Sequence, residues 1–302
     1  MAHTDFLHAF AKAQGVESLE TLVGEHADRY AFQIHSRERA VKTLDRLENE
    51  AGLDWDDRRV LDVGCAYGAF AIELAKRGAH PVGTDVSNKW LRLAAINATE
   101  EADIPFIRCD ASSREGLRTL ESHGPFDVAI VNDVFEHVYD TDGLLMNLKT
   151  LLVPGGTIYF KIPNGLATRN VLREGHKGVF GLSLLAPDYW TMFVKAPFSI
   201  YYRRWSCYES LFATFGFRHV LPMSIHSERD EAATRAQVAS DLDAITAHLQ
   251  SKNFANRSQF LAMRSAFAKY ESEAREDLEH LPWPDLVHKY RITFWEGLLE
   301  SV

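Results

Sequence analysis

The chain has 302 residues, of which 46% are hydrophobic and 25% charged, and 33 Lys and Arg residues stand against 42 Asp and Glu residues. The net charge of −9 gives no general attraction to phosphate backbones or anionic membranes, so we do not expect a nucleic-acid-binding protein. No apolar run reaches the roughly 20 residues that cross a bilayer, and the first 15 residues lack an apolar signal core. Cys65, Cys109 and Cys207 are too widely spaced for a disulfide framework, which favours a reducing, cytoplasmic location.

The N-terminal segment, residues 1–58, is predicted to be helical, because Ala40, Leu44 and Leu47 recur at the spacing of one helix face. From residue 59 the pattern changes to short apolar runs that are separated by amphipathic stretches. These runs predict strands at 59–63, 81–84, 106–109, 126–131 and 157–162.

Helices are predicted between these strands. The first covers about 69–77, the second is capped by Ser87, and the third is capped by Thr141 or Asp142 and ends at a turn over 153–156. Strands that alternate with helices predict an α/β fold with a mostly parallel sheet covered on both faces.

The segment 165–206 is rich in aromatic residues and is predicted to be a lid or substrate segment. In that role Trp190, Phe193 and Tyr201 would line a pocket, although the same aromatics can instead pack beneath the C-terminal helices. Cationic side chains interleave with them and favour an anionic substrate; they are Lys177, Lys195, Arg203 and Arg204.

A further helix and strand are predicted within 207–225, which completes a core of residues 59–225. Residues 226–302 are predicted to form a helical addition with one apolar stripe through Val238 and Leu242 and another through Met263 and Phe267. We expect these stripes to pack on the core, with a pocket cap or a homodimer interface as alternatives. The stretch 290–299 supplies a last strand or helix.

The strongest motif is a glycine-containing loop directly after the first strand, residues 62–68 (Asp-Val-Gly-Cys-Ala-Tyr-Gly). Open α/β sheets bind ligands at the carboxyl ends of their strands. The loop lacks the G-x-G-x-x-G pattern of dinucleotide-binding folds, because Ala66 and Ala69 occupy two of its glycine positions. No Gly-Lys-Ser/Thr follows, which excludes a phosphate-binding P-loop.

Acidic residues end the next two strands. Asp85 ends the second strand, where a carboxylate can accept hydrogen bonds from both hydroxyls of a ribose. Asp110 ends the third strand and can accept from an adenine amino group, while the amide of Ala111 contacts the ring edge. Together with Asp62, these acids follow three successive strands, which helix capping alone does not explain.

With these motifs, residues 58–164 resemble a class I S-adenosylmethionine-dependent methyltransferase. The resemblance extends to the fourth-strand segment 126–133 and to the turn at 152–157. It implies a Rossmann-like seven-stranded sheet and S-adenosylmethionine as cofactor. It places Gly64 and Ala66 against the methionine part, Asn132 at its amino group and Arg37 at its carboxylate. The implied cofactor-binding residues are Arg37, Asp62, Gly64, Cys65, Ala66, Gly68, Asp85, Val86, Asp110, Ala111 and Asn132.

The segment after the fourth strand carries Asp133, Glu136 and His137, the candidate catalytic residues. Their spacing resembles the metal-binding Glu-x-x-Glu-His of ubiquinone-pathway O-methyltransferases and of small-RNA 2′-O-methyltransferases. It implies a divalent ion such as Mg²⁺ or Mn²⁺, with His176 as the fourth ligand. The alternative is a metal-free role in which His137 is a general base or organises the pocket.

The leading hypothesis is therefore an O-methyltransferase that acts on a small molecule or a saccharide. An RNA 2′-O-methyltransferase is the alternative enzyme, and the net charge of −9 weighs against it. A non-catalytic cofactor-binding partner protein is the alternative from a different class.

Overall fold

The computed structural model describes residues 2–99, 104–195, 199–223 and 230–302. The described strands are β1 (Arg59–Val63), β2 (His80–Asp85), β3 (Phe106–Arg108), β4 (Phe126–Asn132), β5 (Leu152–Pro163), β6 (Phe217–Pro222) and β7 (Phe294–Ser301). They form one sheet in the order β3-β2-β1-β4-β5-β7-β6. The first five of these are parallel, and β7 runs antiparallel to both β5 and β6. The predicted mostly parallel seven-stranded sheet is confirmed.

Helices pack on both faces of the sheet, because the central strands carry apolar residues in consecutive positions. Leu61 belongs to an apolar cluster with Leu144 and Phe212, whereas its neighbour Val60 belongs to another with Leu44. The described α-helices are α1 (Ala2–Gln14), α2 (Leu19–Val23), α3 (Ala27–Ile34), α4 (Ser36–Ala51), α5 (Ala69–Ala75), α6 (Asn88–Asn97), α7 (Arg114–Glu121), α8 (Thr141–Leu151), α9 (Thr168–Leu172), α10 (Trp205–Thr214), α11 (Glu231–Ser251), α12 (Arg257–His280) and α13 (Trp283–Tyr290).

Two local predictions for the third helix need correction. The cap of α8 is Asp140, neither Thr141 nor Asp142, because the Asp140 carboxylate accepts a hydrogen bond of 2.9 Å from the Gly143 amide. The predicted turn at 153–156 lies inside β5, where the pairing with β4 shifts register. The cap predicted at Ser87 is confirmed, since its hydroxyl accepts from the Trp90 amide.

The C-terminal region packs against the lid segment and then returns to the sheet. The predicted apolar stripes of α11 and α12 are buried together with Phe180 and Trp190. They are therefore covered within one chain, and a homodimer through other faces of these helices stays a prediction. Strand β7 inserts between β5 and β6, so the sheet extends beyond residues 59–225. The predicted boundary at 225/226 lies outside the described residues.

None of the helices in the described ranges is both long enough and apolar enough to cross a bilayer.

Candidate functional site

The loop between β1 and α5 is a tight turn with left-handed backbone conformations at three positions. Gly64 and Gly68 have positive φ angles of 65° and 72°, and Ala66 has a φ of 46°. A Cβ on Gly64 would lie 2.7 Å from Val134 Cγ2, and one on Gly68 would lie 2.7 Å from the Phe106 ring. The glycines are therefore required by both backbone conformation and space, as the motif predicted.

The first two strand-end acids stabilise this loop. Asp85 accepts hydrogen bonds from the amides of Ala66 (3.1 Å) and Ser87 (2.8 Å), and Asp62 accepts one from the amide of Ala71 (3.3 Å). Burial raises the pKa of Asp62 to about 8 and also raises the pKa of Asp85. Each carboxylate oxygen offers two lone pairs, so Asp85 keeps capacity for further donors.

The third acid lies at the exposed end of β3. Asp110 accepts from the amide and the hydroxyl of Ser112 at 3.0 and 2.7 Å. The neighbouring Ala111 is buried, and its carbonyl accepts from the side chain of Asn147. The turn after β3 therefore holds Asp110 next to the backbone of Ala111, which the hydrogen bond from Asn147 fixes in place.

Cys65 and Val86, two other predicted cofactor contacts, differ in the surface that they present to a ligand. The amide of Cys65 donates to the Thr84 carbonyl at 2.9 Å, and burial raises the pKa of its thiol well above the usual range. Cys65 therefore contributes a neutral packing group to the loop. Val86 is 63% exposed beyond β2, where an apolar surface is open to a ligand.

The arginine predicted for the cofactor carboxylate points elsewhere. Arg37 donates to Glu73 on α5 at 2.8 Å and is largely buried in that ion pair. Arg39 stacks on the Phe32 ring at 3.6 Å; burial lowers its pKa, and Asp133 opposes that shift. Residues two apart lie on different faces of a helix, and the sequence alone did not show which face of α4 meets the sheet.

Strand β4 ends in a pair of buried acids. The Asn132 side chain donates to Asp133 Oδ2 at 2.9 Å, and Asp133 has a positive φ of 55°. Asp133 Oδ1 and both carboxylate oxygens of Glu136 are buried without a hydrogen-bond partner in the described ranges. Burial raises the pKa of Asp133, and burial together with the Asp133 charge raises the pKa of Glu136 well above its usual range.

Two histidines face Glu136. Nε2 of His137 lies 3.9 Å from Glu136 Oε1, and Nε2 of His176 lies 4.0 Å from the same oxygen. One ligand atom from each of these three residues lies within 4.8 Å of the others. The structure thus brings together three of the four predicted metal ligands, while Asp133 lies outside this group. The unpartnered Glu136 oxygens and the two imidazole nitrogens fit a divalent ion.

A buried carboxylate that the sequence did not reveal orients His176. Glu174 accepts from His176 Nδ1 and the His176 amide, both at 2.8 Å, and from the Tyr202 hydroxyl. Burial raises the pKa of Glu174, but these hydrogen bonds outweigh it and lower the pKa to about 2. Nδ1 of His176 is therefore a donor, which leaves the Nε2 lone pair directed to the site. The Glu-x-His spacing was visible in the sequence, whereas Tyr202 had no local signal.

His137 is the less shielded of the two histidines. Burial and the neighbouring His176 lower its pKa to about 4, against a hydrogen bond with the Ser199 backbone that raises it. The ring is therefore neutral near pH 7 and can accept a proton or bind a metal ion.

A cavity of about 350 Å³ lies between the lid segment and α12. Its aromatic lining is Tyr189, Tyr202 and Tyr270, and Trp190, Phe193 and Tyr201 follow the alternative prediction of packing beneath the C-terminal helices. Trp190 is buried in the helical cluster, and Phe193 and Tyr201 pack against that cluster. Of the predicted cations, Arg203 and Arg204 line this cavity, while Lys177 and Lys195 do not.

Comparisons with known proteins agree with this architecture. A family model described as a methyltransferase domain matches residues 30–221, more than half of the chain. The ubiquinone biosynthesis O-methyltransferase of Albidiferax ferrireducens is 36% identical over 107 residues, which cover 35% of this chain and 42% of that protein. The protein of the same name from Chromobacterium violaceum is 35% identical over 121 residues, with 40% and 49% covered. The chain thus spans less than half the length of these curated relatives.

Among solved structures, an S-adenosylmethionine-dependent methyltransferase from Mesorhizobium loti superposes with a TM-score of 0.50 at 18% sequence identity. The superposition covers 83% of this chain and 94% of that one. At this identity the likeness concerns the fold, and it confirms the predicted Rossmann-like architecture.

Proposed function

The chain belongs to the methyltransferase-domain family, and on that premise we propose that it transfers the methyl group of S-adenosylmethionine to an oxygen of a small molecule. The observation that carries this proposal is the glycine loop at Gly64 and Gly68 with Asp85 and Asp110 at the next strand ends. The named relatives, which are O-methyltransferases of ubiquinone biosynthesis, support an oxygen acceptor. A saccharide stays within the proposed acceptor class.

In this proposal the residues at the ends of β1 to β4 bind the cofactor. Asp85 accepts from the ribose hydroxyls, Asp110 and Ala111 contact the adenine, and the Asn132 carbonyl accepts from the amino group. Arg39 takes the place first assigned to Arg37, because the Arg37 side chain is held by Glu73.

The chain's own contribution to the reaction is alignment and proton removal. The acceptor oxygen attacks the methyl carbon, the carbon–sulfur bond breaks, and the acceptor hydroxyl gives up its proton. Where no metal ion is bound, His137 would accept that proton, because its ring is neutral near pH 7. The buried carboxyl group of Glu136 is the nearest acid to this ring.

We further propose that Glu136, His137 and His176 hold a divalent metal ion. When bound, such an ion would lower the pKa of an acceptor hydroxyl. Two imidazoles with one carboxylate suit Mn²⁺ better than Mg²⁺, which prefers oxygen ligands. Glu174 and Tyr202 then position His176, and Asp133 adds negative charge behind the site.

The proposed setting is a reducing cytoplasm, which the three free cysteines support. The acceptor is proposed to be a small molecule because the net charge of −9 opposes RNA binding. Neither the family match nor the named relatives support the RNA-modifying or the non-catalytic alternative.

Transfer of labelled methyl groups from S-adenosylmethionine into host extract tests this function. The products would be separated into lipid, saccharide, small-molecule and nucleic-acid pools, with and without a chelator. We expect label in the small-molecule or saccharide pool and less label with the chelator. Label confined to nucleic acid, or no transfer despite cofactor binding, would overturn the proposal.

A further inference from the structure

We propose that the cavity between the lid segment and α12 binds an anionic small molecule that carries a ring, and that this molecule is the methyl acceptor. The inference rests on the proposed function for the reaction but on separate residues for the binding. The cavity of about 350 Å³ is near the lower end of the roughly 300–1,000 Å³ that is usual for ligand pockets. It therefore suits a compact ligand.

The charge of the lining favours an anion. Lys269 is exposed on α12 and has no acidic partner among the described residues. The Arg203 guanidinium donates to the carbonyls of Phe135, Val138 and Tyr139 at 3.4, 3.1 and 2.8 Å, and no carboxylate of the described residues pairs with it. Arg204 is paired with Glu273 and leaves no net charge. Lys269 thus remains as the partner for a carboxylate or phosphate, and the unneutralised charge of Arg203 adds to the positive potential of the lining.

The remaining lining favours a ring. Tyr189, Tyr202 and Tyr270 line the cavity, and Tyr270 is fixed by a hydrogen bond of 2.9 Å to the Leu166 carbonyl. Leu166 and Leu185 add apolar surface. Aromatic and aliphatic walls around a few polar groups are typical of sites for planar ligands.

Hydrogen bonds connect the cavity to the proposed metal site. The Tyr202 hydroxyl lies 3.2 Å from Nδ1 of His176, and the Tyr201 amide donates to the Glu136 carbonyl at 2.6 Å. The backbone at 201–202 therefore contributes to the cavity wall through Tyr202 and contacts Glu136 through the Tyr201 amide. Because α12 forms the opposite wall and lies outside the matched family region 30–221, it is suited to determine which acceptor binds.

The probe is 3,4-dihydroxybenzoate, which combines a ring, a carboxylate and hydroxyl groups, and its neutral counterpart is 3,4-dihydroxybenzamide. Binding to the full chain would be measured by calorimetry, with and without S-adenosylhomocysteine. We expect the benzoate to bind at least tenfold more tightly than the benzamide. Equal affinities, or no measurable binding of the benzoate, would overturn the inference.

The variant Lys269→Glu locates that binding. It should lower the affinity for the benzoate at least tenfold and change the affinity for the benzamide by no more than about twofold. Arg264→Glu is the matched control, because it makes the same charge change at an exposed α12 position outside the cavity lining. If both variants weaken the benzoate equally, the effect is general electrostatics and the cavity is not the site.

Binding of S-adenosylhomocysteine to the same samples separates the two proposals. If the cofactor binds normally but Lys269→Glu does not weaken the benzoate more than Arg264→Glu does, the cavity inference is overturned and the methyltransferase proposal stands. Charge-selective benzoate binding without cofactor binding would support the cavity as a binding site and contradict the proposed reaction.

Discussion

The carboxylates at the proposed cofactor end and those at the proposed metal end are held in opposite ways. Asp85 accepts hydrogen bonds from the amides of Ala66 and Ser87, and Asp110 accepts one from the amide of Ser112. By contrast, Glu136 has two buried oxygens without a partner in the described ranges, and Asp133 has one. In acids of the first kind, the amide hydrogen bonds offset part of the cost of burying the carboxylate, although burial still raises the pKa of Asp85. Acids of the second kind lower the stability of the protein until a proton neutralises the carboxylate or a cation binds to it.

The largest expected effect is on cofactor affinity. Replacing Asp85 with Ala removes an acceptor for two ribose hydroxyls, each worth about 1.5–3 kcal/mol when charge-assisted. We expect S-adenosylhomocysteine to bind at least about 100-fold more weakly, measured by calorimetry. Asp142→Ala, at an exposed position of α8, should bind normally. Asp85→Asn is a control for misfolding, since its side-chain oxygen can still accept the hydrogen bond from the Ala66 amide. Unchanged binding by Asp85→Ala would remove this residue from the site.

The next prediction is that one substitution, Glu136→Gln, weakens metal binding but stabilises the metal-free protein. Glu136→Gln should weaken Mn²⁺ binding at least about tenfold, because it removes the negative ligand, as calorimetry would show. Without metal it should raise the thermal unfolding temperature, because an unpaired buried carboxylate is replaced by a neutral group. Burial raises the pKa of Glu136, so its cost grows as pH rises from the unfolded value of 4.5. The stabilisation should therefore be greater above neutral pH.

Glu174→Gln provides the contrast, because the Glu174 carboxylate already has four donors in the fold. This variant should weaken metal binding through His176 and also lower the unfolding temperature of the metal-free protein. If Glu136→Gln destabilised the metal-free protein as Glu174→Gln does, the distinction between the two kinds of acid would fail.

A smaller effect concerns the glycine loop of the proposed cofactor end, which packs against Val134 beside Asp133. Gly64→Ala adds a Cβ at 2.7 Å from Val134 to a residue with a φ of 65°. We expect the free energy of unfolding to fall by about 2–3 kcal/mol, from strain and overpacking together. Gly155→Ala is the matched control, with a φ of 74° and open space, and should cost about 1 kcal/mol. Urea unfolding measures both, and equal losses would mean that the Val134 contact relaxes freely.

The sequence predicts where the residues of the proposed cofactor end lie, because their positions depend on local features. Asp85 ends β2, and Gly64 and Asp110 follow β1 and β3 within two residues, so the order of apolar runs already places them at one sheet edge. Two residues of the proposed metal end, Glu136 and His137, are placed for the same reason, since they follow β4. His176 was found as the first histidine downstream.

The remaining features depend on distant contacts and had no local signal. Tyr202 contacts Glu174 across 28 residues, and Arg39 was distinguished from Arg37 only by the orientation of α4. The cavity is lined by Tyr270 rather than Trp190 because α12 folds back over the lid segment. Equally, 290–299 was predicted as a strand or a helix, and pairing with β5 makes 294–301 a strand.

The smallest effect tests the ion pairs between the lid segment and the C-terminal helices, which resemble the satisfied acids of the cofactor end. The hydrogen bond from Arg204, together with Lys289, lowers the pKa of Glu273 to about 2. Because this is below the unfolded value of 4.5, the stabilisation is present above pH 4.5 and is lost as pH falls toward 2. Partial exposure of the pair keeps its effect small.

Glu273→Gln should therefore lower the unfolding temperature slightly at about pH 7 and by about half as much at about pH 3, as calorimetric scans would show. Glu276→Gln, at an exposed position of the same helix, should show no such pH-dependent difference. Since Glu273 also neutralises Arg204 in the cavity lining, Glu273→Gln should strengthen 3,4-dihydroxybenzoate binding at about pH 7. A loss of stability that was undiminished at low pH would assign Glu273 a packing role and leave the charge balance of the cavity to Lys269 and Arg203.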